Sequence, residues 1–107
     1  MFGIVMITCP LDFTEKIANS LLEKRLVAAI NILPTIQSRY WWKNSIEVTK
    51  EALLLAKTLR SQFPKIEQTV REVHPYQVPS IVMLPIVAGT DDYFKWISQE
   101  VEAGLET

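Results

Sequence analysis

The sequence predicts an α+β domain in which one antiparallel sheet carries two helices on the same face. Strand-like and helix-like segments alternate in the order β-α-β-β-α-β, followed by a further helix, which is the order of a split β-α-β arrangement. The two central strand segments are unusually long and adjoin each other, as expected of a projecting hairpin. The 107 residues suffice for one hydrophobic core, so a single domain over residues 1–107 is predicted.

The first strand and helix are marked by a change in hydrophobic period. Ile4–Thr8 is a compact run of β-branched and apolar residues, which predicts a buried strand, and Pro10 ends it. Asp12 and Glu15 have the spacing of a capping box, which predicts a helix with Asp12 as its N-cap. The apolar residues that follow recur on one helical face: Phe13, Ile17, Ala18, Leu21 and Leu22.

A long two-stranded ribbon is predicted in the middle of the chain. Strand character runs over Val27–Leu33 and resumes over Ile36–Trp42, and Pro34 between them predicts a bulge because proline cannot donate to the ladder. Asn44 tolerates a left-handed conformation, so the chain is expected to reverse there and return as a strand over Ile46–Leu59. A strand pair of this length exceeds the width of a small sheet, so its far end is expected to project and to need a cover.

The rest of the chain predicts two more helices and an edge strand. Ser61 is the expected N-cap of a second helix with an apolar stripe of Phe63, Ile66, Val70 and Val73, and His74 with the proline after it ends that helix. A fourth strand is expected over Ile81–Val87, where Pro85 indicates an edge or a bulge. The last few residues are expected to fray. The final helix carries an apolar stripe of Tyr93, Trp96, Ile97 and Val101.

Composition and charge exclude several classes of protein. The chain has 11 basic and 12 acidic residues with no basic run, so it lacks the positive patch of a nucleic-acid-binding protein. The single cysteine, Cys9, cannot form an intramolecular disulfide and fits a reducing compartment. No stretch has the features of a signal peptide or the length of a membrane span, so a cytoplasmic location without membrane contact is predicted. A mean hydropathy of +0.14 is slightly high for so small a domain, which favours self-association.

His74 and Cys9 are the side chains in this sequence that most often carry chemistry. His74 could serve as a general acid or base or as a metal ligand, but a histidine at a helix C-terminus also has a purely structural explanation, which is preferred. Cys9 is interpreted as a small buried hydrophobe, because one cysteine and one histidine without a CxxC motif lack metal-site spacing. No nucleophile elbow, P-loop or HExxH motif is present, so no catalytic residue is assigned.

Charged and aromatic residues of the ribbon are candidates for ligand contact. Glu51 and Lys57 lie six residues apart on the same predicted strand face, amid apolar residues, where opposite charges are usually paired. Lys57 could therefore pair with Glu51, or it could face a ligand. Tyr40, Trp41 and Trp42 could stack bases, but without basic flanks an oligomer interface is the preferred interpretation.

Five segments have an order and spacing that is specific when they are taken together. They are Arg25–Pro34, Ser38–Trp42, Glu51–Thr58, His74–Pro79, and Gly89 with Tyr93 and Trp96. In this order they resemble the CutA family, and the resemblance extends from about Ile4 to Ile97. It implies a ferredoxin-like fold assembled as a homotrimer, similar in build to the P-II nitrogen-regulatory proteins. It also implies a role in tolerance to divalent cations, copper especially, with no reaction firmly attributed to the family.

Some positions depart from the family pattern. Ala29 stands where members often have a cysteine, and Gln77 where they often have a glutamate. Val73 replaces a second histidine seen in some members, and Thr35 and Asn44 replace glycines. These departures leave the implied fold intact but weaken the implied metal site. Binding of divalent metal, Cu²⁺ included, is therefore expected to be weak, and no cofactor is expected to be required.

Two functions from different classes are consistent with these observations. The preferred one is a homotrimeric binding or regulatory protein with a small-ligand or metal site at clefts between subunits, where Lys57, His74 and Tyr76 are expected to converge. The alternative is a small hydrolase of the acylphosphatase type, which needs a phosphate-binding loop with arginine after the first strand. The segment Cys9–Asp12 offers neither glycine nor arginine. The expected cleft residues are Tyr40, Trp42, Glu51, Lys57, His74 and Tyr76, with His74 as the candidate metal ligand.

Overall fold

A computed structural model describes residues 1–103 of the chain. The strands over those residues are β1 (Phe2–Cys9), β2 (Ala29–Trp42), β3 (Ser45–Leu59) and β4 (Ile81–Pro85). The α-helices are α1 (Thr14–Glu23), α2 (Phe63–Val73) and α3 (Asp91–Ala103). This order confirms the predicted β-α-β-β-α-β arrangement with a terminal helix. The predicted fraying concerns a segment that lies largely outside the described residues.

The four strands form one antiparallel sheet in the order β2-β3-β1-β4. β1 lies in its interior, where Val5 is paired with Ala56 of β3 on one side and with Met83 of β4 on the other. β2 and β4 are therefore the edges of the sheet, and Pro85 ends an edge strand as predicted. This strand order with two β-α-β crossings is the ferredoxin-like topology.

One face of the sheet is buried beneath α1 and α2. Val5, Ile7 and Cys9 are fully buried on that face, because successive side chains of a strand point to opposite sides of the sheet. Burial of apolar surface of this kind is the main favourable term in folding. The residues of β3, α1 and α2 that complete this core are Ala52, Leu54, Ala56, Ile17, Leu21, Ile66 and Val70.

The terminal helix α3 packs against β3. Ile97 and Val101 of α3 are fully buried, yet they lie outside the core beneath α1 and α2. The ring of Phe94 stacks on that of Phe2 in β1, with 4.4 Å between the ring centroids. α3 therefore covers a second part of the sheet, as its apolar stripe predicted.

The β2–β3 hairpin extends beyond the rest of the sheet, as predicted. Pairing between β1 and β3 ends where Cys9 lies opposite Ala52, so Ser45–Glu51 have no partner in β1. The chain reverses at Lys43 and Asn44, whose φ angles are 49° and 68°. Two consecutive left-handed residues are typical of a tight hairpin turn. The conformation of Asn44 was predicted, whereas that of Lys43 was not.

A register shift interrupts β2 at the predicted proline. Leu33 lies opposite Leu53, whereas Ile36 lies opposite Glu51, so β2 holds one residue more than β3 between these pairs. An extra residue on one strand of an antiparallel pair is a β-bulge. Pro34 lies within it, which removes the need for a ladder hydrogen bond from that residue.

Both predicted helix caps are wrong. Asp12 lies in a short 3₁₀ helix, and α1 begins at Thr14, whose hydroxyl donates to the carbonyl oxygen of Leu11 at 2.8 Å. Ser61 also lies in a short 3₁₀ helix, and α2 begins at Phe63 without a side-chain cap. In both places a tight turn takes over backbone groups at the helix start, which is a common alternative to a cap.

Strand boundaries also differ from those predicted, since β1 spans Phe2–Cys9 rather than Ile4–Thr8 and β3 begins at Ser45 rather than Ile46. β2 begins at Ala29 rather than Val27, and β4 ends at Pro85 rather than Val87. Beyond the end of β4 the backbone N–H of Ile86 still donates to the carbonyl oxygen of Phe2 at 3.0 Å. The paired strands therefore do not end at the same residues as the apolar runs in the sequence.

The core assignment predicts unequal effects for two leucines. Leu54 is fully buried in β3, so Leu54→Ala should lower the free energy of unfolding by about 2–5 kcal/mol because a cavity remains. Leu22 of α1 is 41% exposed, and Leu22→Ala, the matched control, should lower it by about 1 kcal/mol or less. Urea unfolding at one protein concentration measures both values. Equal losses would contradict this assignment.

Candidate functional site

His74 lies where α2 ends, and the next residue explains why the helix ends there. Proline at position 75 disfavours a helical conformation for His74, which is extended with φ −78° and ψ 132°. The backbone N–H of His74 still donates to the carbonyl oxygen of Val70 at 2.8 Å. The side chain is buried, with only 8% of the residue exposed.

Both ring nitrogens of His74 are engaged in hydrogen bonds. Nε2 lies 2.8 Å from the backbone carbonyl oxygen of Thr8, which can only accept, so Nε2 carries the proton and donates. Nδ1 is then the acceptor, and the backbone N–H of Tyr76 donates to it at 3.2 Å. These two bonds define a neutral imidazole, and a metal ion could bind the ring only if one of them broke.

The bond from His74 places Tyr76 near β3. The two rings lie 4.9 Å apart between centroids, at an angle of 57°. Burial raises the pKa of the Tyr76 hydroxyl to about 12, and the Glu51 carboxylate adds to the shift because it accepts a hydrogen bond from the phenol and disfavours a second negative charge. Tyr76 therefore remains a neutral phenol at neutral pH.

Glu51 is a buried carboxylate that lacks a full set of partners. It is 3% exposed, and its Oε2 accepts no hydrogen bond from any described residue. Thr49, two residues earlier on the same face of β3, has a buried hydroxyl that is likewise unpartnered within residues 1–103. An unpaired buried acceptor costs about 1–3 kcal/mol and a charged one costs more, so a further donor at Oε2 of Glu51 would be stabilising.

Cys9 is buried at the end of β1, as predicted. Burial raises the pKa of its thiol, and the Glu51 carboxylate raises it further, whereas the Thr14 hydroxyl at 3.9 Å opposes the shift. A reactive or metal-binding cysteine needs the opposite shift, since the thiolate is the nucleophile and the ligand. Cys9 is therefore an inert part of the core.

A cleft of about 210 Å³ opens beside Tyr76 at the projecting end of the hairpin. Tyr40 and Trp42 of β2 form one part of its wall, and Glu47 of β3 forms another. The loop between α2 and β4 completes it with residues 76–78. The structure therefore brings three of the predicted cleft residues together within one chain, with Glu51 close to the third.

Lys57 does not join this cluster within one chain. It lies opposite Ile4 of β1 and Ala29 of β2, and its Nζ donates to the side-chain oxygen of Asn31. Six residues of strand separate Lys57 from Glu51, a distance of about 20 Å at about 3.3 Å per residue. Pairing of Lys57 with Glu51, one of the two interpretations open from the sequence, is therefore wrong.

Three residues of the cleft wall were not predicted from the sequence. They are Glu47, Gln77 and Val78. Glu47 lies directly opposite Tyr40, so a two-residue turn at Lys43 and Asn44 would have been enough to find it. Gln77 and Val78 lie in a loop whose position depends on the bonds of His74, and the sequence carries no signal for those.

Larger cavities than this cleft lie elsewhere among the described residues. A space of about 510 Å³ lies near the start of β1, and no residue predicted for the site lines it. The smaller cleft is the better candidate for specific recognition, because Tyr40, Trp42 and Tyr76 of the predicted site line it. The walls of the larger space are Phe2, Arg60, Phe63, Pro64, Met83 and Pro85.

The residues of one chain do not fit a divalent metal ion. No group of three or more His, Cys, Asp or Glu side chains within residues 1–103 is arranged to hold one. His74 uses both ring nitrogens, and the thiol of Cys9 is buried with a raised pKa. A metal centre normally needs three or four such ligands with free lone pairs.

Comparison with known proteins finds one family throughout. The sequence profile of the CutA1 divalent ion tolerance protein matches residues 3–100. The divalent-cation tolerance protein CutA of Thermus thermophilus is 41% identical over 100 residues, which are 92% of this chain and 97% of that protein. Protein CutA of Mus musculus is 41% identical over 98 residues, or 91% of this chain. The chain spans only 55% of the length of that mouse relative.

Solved structures agree with the sequence comparison. The structure of the periplasmic divalent cation tolerance protein CutA from Archaeoglobus fulgidus superposes with a TM-score of 0.91 at 36% identity. The match covers 94% of this chain and 99% of that one. Because that relative is called periplasmic, the cytoplasmic location expected from the sequence stays a prediction. No helix within residues 1–103 is long and apolar enough to cross a membrane.

The raised pKa of Tyr76 predicts a loss of stability at high pH. In the unfolded chain the phenol has a pKa near 10, whereas in the folded chain its pKa is about 12. The contribution of Tyr76 is therefore complete below about pH 10 and is lost as the pH rises toward 12. Urea unfolding between these limits should show a steeper decline for the unmodified protein than for Tyr76→Phe. Parallel declines would show that Tyr76 is not held as described.

Proposed function

The chain belongs to the CutA1 divalent ion tolerance protein family, and from this premise we propose that it is a homotrimeric binding protein with ligand clefts near its subunit contacts. Its relatives are named for tolerance to divalent cations, and a trimer is what the resemblance to the family implies. The observation that carries the proposal is the apolar surface of the projecting hairpin.

The hairpin exposes more apolar surface than a lone domain of this size normally does. Trp41 is 70% exposed, Ile46 is 62% exposed and Val48 is 52% exposed, and Trp41 lies directly opposite Ile46. Adjacent exposed apolar side chains of this kind mark a protein–protein contact. No element within residues 1–103 covers them, so a second copy of the chain is the proposed cover.

The edges of the sheet support the same assembly. β2 and β4 each leave one side of the strand without a partner in the sheet. Val82 and Leu84 of β4 are 49% and 47% exposed. An exposed apolar edge favours pairing with another chain, and closed symmetry leaves none of these edges free. Strand pairing between subunits is therefore part of the proposal.

The cleft beside Tyr76 is the proposed ligand site. It lies on the hairpin that is proposed to contact a neighbour, so that neighbour would border the cleft. The distance of Lys57 from this cleft means that any role for Lys57 there requires a neighbouring copy to supply it. His74 holds Tyr76 and its loop in place through two hydrogen bonds and is proposed as a positioning residue.

We assign direct metal binding a minor part in this function. Copper and other divalent cations would have to break a bond of His74 or collect ligands from several subunits. The segment after β1 carries neither glycine nor arginine, which supports a binding protein over an acylphosphatase-type hydrolase. The single free and buried cysteine supports a reducing setting such as the cytoplasm.

Light scattering tests the assembly. The protein at micromolar concentration should have a mass of about three times 12.3 kDa. Val48→Lys should dissociate it, because Val48 is 52% exposed in one chain and a lysine there would lose its hydration only at a subunit contact. Leu22→Lys, on the outer face of α1, is the control and should keep the mass unchanged. A monodisperse monomer for the unmodified protein would refute the proposal.

Calorimetry tests the metal assignment. Cu²⁺ and Zn²⁺ should bind with dissociation constants on the order of micromolar or weaker, because no described cluster offers three free ligands. Cys9→Ser should leave this binding unchanged, since the thiol is buried and protonated. Nanomolar binding that Cys9→Ser abolishes would contradict the assignment.

A further inference from the structure

We propose that the cleft lined by Tyr40, Trp42 and Tyr76 binds a primary alkylammonium ion. This inference rests on the proposed function, because it assigns a ligand class to the same cleft. It is carried by the sign of the charges on the cleft face, by the aromatic walls and by the unpartnered acceptor of Glu51.

The two faces of the projecting hairpin carry opposite charges. Tyr40 lies opposite Glu47, and alternation along β3 places Glu51 on the same face as Glu47. Arg39 directly precedes Tyr40, and Lys50 directly precedes Glu51, so both basic side chains lie on the other face. No lysine or arginine lines the cleft, and Glu47 forms no ion pair within residues 1–103. Glu47 and Glu51 therefore favour a cation at the cleft, and Lys43 beside Trp42 offsets part of this effect.

The walls of the cleft suit a cation with an organic part. Tyr40, Trp42 and Tyr76 each present a partly exposed ring, and the faces of such rings attract cations. The Nζ of Lys43 already lies 5.8 Å from the ring centroid of Trp42, so this hairpin can hold an ammonium group over that ring. Val78 adds an apolar wall, and a volume of about 210 Å³ admits a short alkyl chain.

Glu51 distinguishes a primary ammonium from a quaternary one. Its Oε2 is buried and lacks a donor among the described residues, and it needs an N–H or O–H group rather than a charge alone. Tyr76 lies between the cleft and this carboxylate, since its ring lines the cleft and its hydroxyl interacts with Glu51 as a hydrogen-bond donor, while Oε2 stays without a partner. A primary ammonium has three N–H donors, whereas a quaternary ammonium has none.

The test follows tryptophan indole N–H signals by NMR in the ¹⁵N-labelled, full-length protein. n-Butylammonium should shift the signal of Trp42 in a saturable way. Trp41 on the opposite hairpin face and Trp96 on α3 are internal controls and should not shift. The neutral analogue n-butanol should bind at least about tenfold more weakly, because it carries no charge.

Variants test the two carboxylates separately. Glu51→Gln should weaken n-butylammonium binding by about tenfold or more, and Glu47→Gln by about threefold, since Glu47 is exposed to solvent. Glu72→Gln on α2 removes the same charge outside the cleft and should leave binding unchanged. If Glu51→Gln fails to fold, Glu47→Gln and the comparison with n-butanol still decide the outcome.

Three results would overturn the inference. Equal binding of n-butanol would make the cleft merely apolar. Equal binding of tetramethylammonium, with no effect of Glu51→Gln, would remove the role of the N–H donor. Absence of any saturable shift at Trp42 in a protein that light scattering shows to be trimeric would refute the ligand class and leave the proposed assembly standing.

Discussion

β3 is a strand of 15 residues that has an antiparallel partner in β1 for only eight of them. Beyond Ala52, β2 is the strand that pairs with it, and the hairpin leaves the sheet that α1 and α2 cover. Side chains on both of its faces then lie outside the core. The exposed tryptophan of one face and the aromatic cleft of the other are both consequences of this mismatch in strand length.

The loop before β4 is joined to β1 through one histidine. His74 ends α2, donates to the end of β1 through Nε2 and accepts from Tyr76 through Nδ1. One neutral side chain therefore connects a helix, a strand and a loop. The chemistry of His74 suggests catalysis or metal binding more than that of any other residue here. In this structure His74 instead holds three elements together, and it affects a ligand by positioning Tyr76.

The element order and the hairpin were predictable because both depend on local period and on turn residues. The helix caps were not predictable, because the same pattern of residues can precede a helix that begins with a side-chain cap and a helix that begins with a 3₁₀ turn. Tyr40 and Tyr76 were predicted for the cleft from their residue types. The pairing of Lys57 with Glu51 could have been rejected from the sequence, because six residues of strand place the two side chains about 20 Å apart. Glu47 was missed because its position depends on the pairing register.

The bulge at Pro34 sets the parity of everything that follows it in β2. If the extra residue paired in the ladder instead of bulging out, the register beyond it would slip by one residue, and Arg39 rather than Tyr40 would lie opposite Glu47. The bulge therefore decides which side chains of β2 lie beside the carboxylates of β3 and which lie on the opposite surface of the hairpin.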